Sequence, residues 1–259
     1  MYKAILFDIE NTLLYPEVSL NEQLAALELD GAPLFTAASA REAVRQAELW
    51  TAEQILREQE KNTRMEDDAF FENVLYAYVR NASKQNEKAA GVIRHAILAA
   101  RGTQNDMPKA LHKPDGLPAL LEALSARYTL GIVSNHRGRI RRVLDAEGLT
   151  PYFKAVMISE SAGVEKPDPR ILTMTCEALG VEPVESLYVG DHPFDVLCAA
   201  RAGMDCAWVD NGVFRPEDLP EKPRWTLRAV TALTPVLCAQ NAGKDSWNFI
   251  FCAENGFFS

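Results

Sequence analysis

Asp8, Glu10, Asn11 and Thr12 follow the apolar run Ala4-Ile5-Leu6-Phe7; Ser134-Asn135 follows Leu130-Gly131-Ile132-Val133; Lys166 stands in Val164-Glu165-Lys166-Pro167; Asp191 and Asp195 follow Leu187-Tyr188-Val189-Gly190. These residue types suit phosphoryl transfer. A carboxylate such as Asp8 can attack phosphorus and form an acyl phosphate, dividing one hydrolysis into two displacements. The attacked group is itself anionic, so the nucleophile needs a divalent cation and an ammonium nearby. Asp191 can bind the cation and Lys166 can supply the ammonium. Magnesium prefers oxygen ligands and keeps several waters, which suits two carboxylates, a main-chain carbonyl and solvent. Ser134, with the backbone N–H groups of Asn11, Thr12 and Asn135, can hold the phosphoryl oxygens.

Each polar segment follows a short, unbroken apolar run of the kind that forms a central strand covered on both faces. A fourth such run, Ala155-Val156-Met157-Ile158, precedes Ser159. Between the runs lie helical patterns: Leu117, Leu120, Leu121 and Leu124 in one, Ile140, Val143 and Leu144 in the next, and 171–179 after Pro169. Alternating strands and helices predict an α/β fold, a doubly wound, Rossmann-like parallel sheet with right-handed crossovers. Ligands of such sheets sit beyond the carboxyl ends of the strands, where all four polar segments fall. Lys166-Pro167 is expected to open the helix that follows it.

Residues 15–112 break the alternation and read as helix throughout, with helices near 20–28, 38–60, 66–81 and 87–101. The expected organisation is an α/β core from 1–14 and 113–240, a helical cap from 15–112, and a tail, 241–259, of unassigned role. The cap's Arg41, Arg45, Arg57, Lys61 and Arg64 read as surface charges. A strand at 225–227 and a helix near 229–239 are expected to finish the core. Trp247, Phe249, Ile250, Phe251, Phe257 and Phe258 make the tail too apolar for a solvated one; it is expected to pack on the core, with a homodimer contact as the alternative.

The chain has 259 residues, 47% of them apolar, and a formal charge of −9. Its acidity and the lack of a dense Lys/Arg block argue against nucleic acid or an anionic membrane as partner. No run approaches the roughly 20 apolar residues of a membrane helix, and Met1-Tyr2-Lys3 leads straight into a strand pattern, so a cytoplasmic location is expected. Five cysteines, odd in number and without metal-site spacing, are expected to be reduced thiols.

The four segments together resemble those of the haloacid dehalogenase-like hydrolase superfamily, in the subgroup with a helical cap between the first and second motifs. Asp8 to Leu13 is similar to the first motif, Ser134 to the second, Lys166 to the third, and Asp191 with Asp195 to the fourth. The resemblance implies Asp8 as nucleophile, Mg²⁺ as cofactor and a small phosphorylated metabolite as substrate. The family's phosphatases carry Asp two residues after the nucleophile, as general acid and base and, through its carbonyl, as a magnesium ligand. Here that residue is Glu10. The implied catalytic residues are therefore Asp8, Glu10 and Lys166, the metal ligands Asp8, Glu10 and Asp191, and Asp195 a support for Lys166 or for a metal-bound water. A second reading follows from Glu10: a weak or inactive protein that binds phosphorylated ligands or serves as a scaffold. Family dehalogenases place an aromatic residue at this position, which speaks against dehalogenation. His192, and His136, Arg137 and Arg139 after Ser134, are secondary candidates beside a plain solvated role.

Overall fold

The computed structural model describes residues 2–61, 67–83, 86–101, 111–136, 138–234 and 236–237, and the statements below concern these. Six parallel strands form one sheet: β1 (Ala4–Phe7), β2 (Thr129–Ser134), β3 (Ala155–Ile158), β4 (Ser186–Gly190), β5 (Asp205–Val209) and β6 (Trp225–Leu227). Their spatial order is β6-β5-β4-β1-β2-β3. β1 lies between β2 and β4, with Phe7 beside Ile132 on one side and Val189 on the other. The chain thus starts in the middle, runs outward through β2 and β3, and returns to β4 on the opposite flank. That reversal opens a crevice at the carboxyl ends of β1, β2 and β4.

Burial explains why these runs are strands. Every side chain of β1 is fully buried, as are Ile132, Val133, Leu187, Tyr188 and Val189, so the central strands show continuous apolar sequence rather than alternation. Helices Leu117–Ser125 and Ile140–Ala146 bury the leucine and isoleucine stripes read from the sequence.

The helix after Lys166 begins at Arg170, so Lys166 lies in the preceding loop and not on the helix. Two prolines explain the difference: Pro167 and Pro169 lack an N–H, and each disfavours helical backbone in the residue before it. At the carboxyl end, Val230–Ala232 is a 3₁₀ turn followed by helical backbone at Leu233, Thr234, Val236 and Leu237. The rest of that expected helix and the aromatic tail lie outside the described residues.

Two compact units divide the chain. One comprises Met1–Tyr15, Lys113–Asn211 and the chain from Leu219 onward; the other comprises Pro16–His112 with Gly212–Asp218. In the second unit, helices Leu20–Ala25, Ala37–Glu60, Asp67–Ser83 and Glu87–Arg101 pack around Leu24, Ala40, Val44, Ala47, Leu75, Ile93 and Ile97. Ser19 with Glu22, and Thr36 with Ser39, form capping boxes that start the first two helices. The unit is not helical throughout. Glu28–Leu29 and Ala32–Pro33 pair as an antiparallel hairpin. Asp30 (φ 53°) and Gly31 (φ 79°) supply the left-handed backbone that a two-residue hairpin turn requires. Two-residue strands are too short to show a period of two, so the Asp-Gly pair was the only sequence signal.

Arg45 also departs from its reading as a surface charge. It is buried, its Nε donates to Oδ2 of Asp218 at 2.6 Å, and its Nη1 donates to Glu42 at 2.9 Å. Arg215 reaches Glu42 as well, at 2.6 Å. Gly212–Asp218, distant in sequence, is thereby tied to the long helix of this unit.

Candidate active site

β1 ends at Phe7 and delivers Asp8 to the rim, where its backbone N–H still donates to Val189 of β4 at 2.9 Å. The chain then turns sharply. The N–H groups of Leu13 and Leu14 donate to the Ile9 carbonyl, that of Asn11 donates to Leu14 (2.7 Å), and that of Thr12 to Ile9 (3.3 Å). Asn11 holds a φ of 58°, a conformation that asparagine tolerates better than most residues. The sequence reading offered the N–H groups of Asn11 and Thr12 to phosphoryl oxygens. Here both are spent within the turn, which fixes the direction of Asp8.

Lys166 reaches this rim from the loop before Arg170. Its Nζ lies 2.6 Å from Oδ1 of Asp195, 3.0 Å from Oδ1 of Asp8 and 3.0 Å from the Tyr188 hydroxyl. The Asn135 side chain anchors the Lys166 backbone: its Oδ1 accepts from the Lys166 N–H (2.8 Å) and its Nδ2 donates to the Lys166 carbonyl (2.9 Å). The sequence points to the Asn135 N–H; the structure uses its carboxamide. Tyr188, buried in β4, donates to the Val133 carbonyl (2.9 Å), and nothing in sequence separates it from a core aromatic.

Asp191 follows β4, and its backbone carbonyl accepts from the indole Nε1 of Trp208 at 2.7 Å. Its Oδ1 accepts from Thr12 Oγ1 (3.2 Å) and its Oδ2 from Asn211 Nδ2 (2.8 Å). Asp195, on the first turn of helix Pro193–Arg201, accepts from Lys166 at Oδ1 and from the His192 N–H at Oδ2 (2.9 Å). His192 itself caps that helix, its Nδ1 accepting from the Phe194 N–H at 3.0 Å.

Electrostatics follow from burial and charge count. Asp8, Asp191 and Asp195 place carboxylate oxygens within 4.8 Å of one another, and all three residues are buried. Burial pushes the Asp8 carboxyl up, but the Lys166 ammonium and a hydrogen bond from Ser134 outweigh it and hold the group below its usual range. Asp191 is pushed well above that range by burial and then by the charges of Asp195 and Asp8. Asp195 is raised by burial in spite of Lys166. Burial lowers the Lys166 ammonium, and Asp195 and Asp8 more than restore it.

The cluster suits a hard divalent cation. Its donors are all oxygen, and three carboxylates face one ammonium among the described residues. Asp8 Oδ1 is buried and ion-paired with the Lys166 ammonium at 3.0 Å, with no further hydrogen bond among the described residues. A buried carboxylate oxygen with one cationic partner retains lone-pair capacity for a metal ion. Asp195 is less available, since its Oδ1 is held by the Lys166 ammonium at 2.6 Å, whereas both Asp191 oxygens accept from neutral donors.

Glu10 stands apart from this buried group. Its side chain is 46% exposed and its Oε2 lies 3.2 Å from Nε2 of His136. Arg137 lies outside the described residues.

The haloacid dehalogenase-like hydrolase family model matches residues 5–209. A glyceraldehyde 3-phosphate phosphatase from Methanopyrus kandleri is 29% identical over 248 residues, 90% of this chain and 99% of the relative. A phosphoserine phosphatase from Thermus thermophilus is 39% identical over 139 residues, about half of each chain (53% and 55%). A solved HAD-hydrolase from Bacillus subtilis, bound to magnesium, shares the fold with a TM-score of 0.60 over 91% of this chain and 98% of its own, at 22% identity. The four polar segments gather at one rim of a parallel sheet, and the family match spans all of them: the chain belongs to the haloacid dehalogenase-like hydrolase family.

Proposed function

We propose that this protein is a magnesium-dependent phosphomonoester hydrolase acting on a small phosphorylated metabolite. The observation that carries the reading is the buried Asp8 carboxylate, ion-paired with Lys166 at 3.0 Å within a cluster of three buried carboxylates. The names of the two phosphatase relatives support the same reaction class.

In the first displacement, Asp8 attacks phosphorus and the ester oxygen departs as Glu10 gives it a proton. In the second, Glu10 takes a proton from water, whose oxygen attacks the aspartyl phosphate; phosphate leaves and Asp8 is restored. Lys166 and Ser134 hold the transferring group. Asn135 fixes Lys166, Asn11 and Thr12 build the turn that aims Asp8, and Asp195 supports Lys166. Asp8, Asp191 and the Glu10 carbonyl would hold magnesium, which would supply positive charge to offset the repulsion between nucleophile and phosphoryl group. We read the chain as cytoplasmic, in keeping with the free, buried thiols of Cys176, Cys198 and Cys206.

The test is phosphate release with magnesium across a panel of phosphorylated metabolites, with Asp8→Asn as the blank. Release that vanishes in the variant supports the mechanism; release that persists refutes it. One observation favours the second reading of a weak or non-catalytic protein: the Glu10 carboxylate is engaged by His136. Glu10→Asp separates the two, since it leaves a competent enzyme unchanged or slower and raises the activity of a degenerate one.

A further inference from the structure

The Glu10 contact also has a constructive reading, which rests on the hydrolase proposal above. We infer that His136 is a positioning residue for Glu10, holding the longer carboxylate where it can exchange a proton with the ester oxygen, so that Glu10 and His136 together do the work of a shorter acid.

The two residues come from different loops, and each loop is pinned without the other. Glu10 pairs with Leu14 as an isolated bridge in the turn after β1, and the Asn11 N–H donates to Leu14. His136 follows β2 by two residues. Its carbonyl accepts from Ser159 Oγ (3.3 Å) and from the Glu160 N–H (3.4 Å), and the Glu160 carboxylate accepts from the Gly138 N–H (2.7 Å). These bonds tie the His136 loop to the helix that begins at Ser159. The imidazole Nε2 and the Glu10 Oε2 then meet at 3.2 Å, close enough for the ring N–H to donate to the carboxylate.

Glu has one more rotatable bond than Asp, and a half-exposed Glu without a partner would spread over several rotamers. Misplacing a catalytic group by about an ångström can cost ~10²-fold in rate. A fixed donor at the carboxylate removes that freedom. A carboxylate one methylene shorter would fall short of Nε2, so the His contact is tied to the presence of Glu at position 10.

The experiment compares two substrates: the best alkyl phosphomonoester of the panel, whose leaving oxygen needs a proton, and 4-nitrophenyl phosphate, whose leaving group departs as a stable anion. His136→Ala is expected to lower kcat on the alkyl ester by roughly 10- to 100-fold and on the aryl ester by less than about threefold, with little change in KM. His136→Gln, whose amide N–H reaches about as far as Nε2, is expected to restore most of the loss. In a Glu10→Asp background, His136→Ala should cost nothing further. An equal loss on both esters, or no loss on the alkyl ester, overturns the positioning role while leaving the hydrolase reading intact. A wild type silent on both esters overturns the hydrolase reading, and this inference with it.

Discussion

Gly190 lies directly beneath the carboxylate of Asp195: a Cβ on Gly190 would stand 2.3 Å from Oδ2 and 2.4 Å from Cγ of Asp195. The last residue of β4 must therefore be without a side chain if Asp195 is to reach Lys166. Gly190→Ala is expected to displace Asp195 and cost about 1–3 kcal/mol, the range for overpacking a filled interior. Urea denaturation measures the loss, and phosphate release should fall with it as Lys166 loses its second partner.

Lys166 is the counter-charge for the buried carboxylates. Lys166→Met keeps the length of the side chain and removes the ammonium, leaving Asp8 and Asp195 unpaired in a dry site. The expected cost is about 3–5 kcal/mol, the range for breaking a buried ion pair by removing one partner. A midpoint in urea within error of the wild type would show that the carboxylates are neutral or solvated in the folded state.

Asp191 resists ionisation because it is buried near Asp195 and Asp8. Magnesium should relieve that strain and raise Tm, by an amount equivalent to about 2.7 kcal/mol at a hundredfold excess over Kd. Chelation with EDTA should reverse it. Asp191→Asn is expected to abolish the magnesium response and, in EDTA, to melt above the wild type, because a neutral amide replaces a carboxylate with no cation. Thermal melts with and without magnesium check both directions.

The Arg45–Asp218 pair holds Gly212–Asp218 within its unit. Burial pushes the Asp218 carboxyl up, but hydrogen bonds from Arg45 and from the Arg215 N–H outweigh it and depress the group. A depressed carboxyl stabilises the fold above the unfolded Asp value of about 3.9, and that contribution is lost as pH falls through the lower folded value. Asp218→Ala should therefore destabilise by ~1–3 kcal/mol at neutral pH and by progressively less below about pH 4. Parallel acid titrations of the two proteins, read by circular dichroism, would show the gap closing.

Position along the strands was legible because it is a local property. Unbroken apolar runs ending in Asp8, Ser134 and Gly190-Asp191 identify buried parallel strands, and such strands have one functional edge. Residue chemistry was legible for the same reason, since carboxylates, an ammonium and a hydroxyl announce themselves by type. The helices Ala37–Glu60 and Glu87–Arg101 were also legible, their stripes repeating over many turns.

What stayed hidden is what depends on partners brought from afar. A buried tyrosine, an asparagine carboxamide and a rim histidine look the same in sequence whether or not they touch Lys166 or Glu10. Tyr188, Asn135 and His136 acquire their roles only when β1, β2 and β4 lie side by side. The same holds for Arg45, whose sequence neighbours suggest a solvated helix face and whose partner lies 173 positions away. Apolar periodicity is written along the chain and determines the layers; hydrogen-bond geometry is decided by residues that only tertiary packing brings within bonding reach, and so the aim of each site group belongs to the folded structure alone.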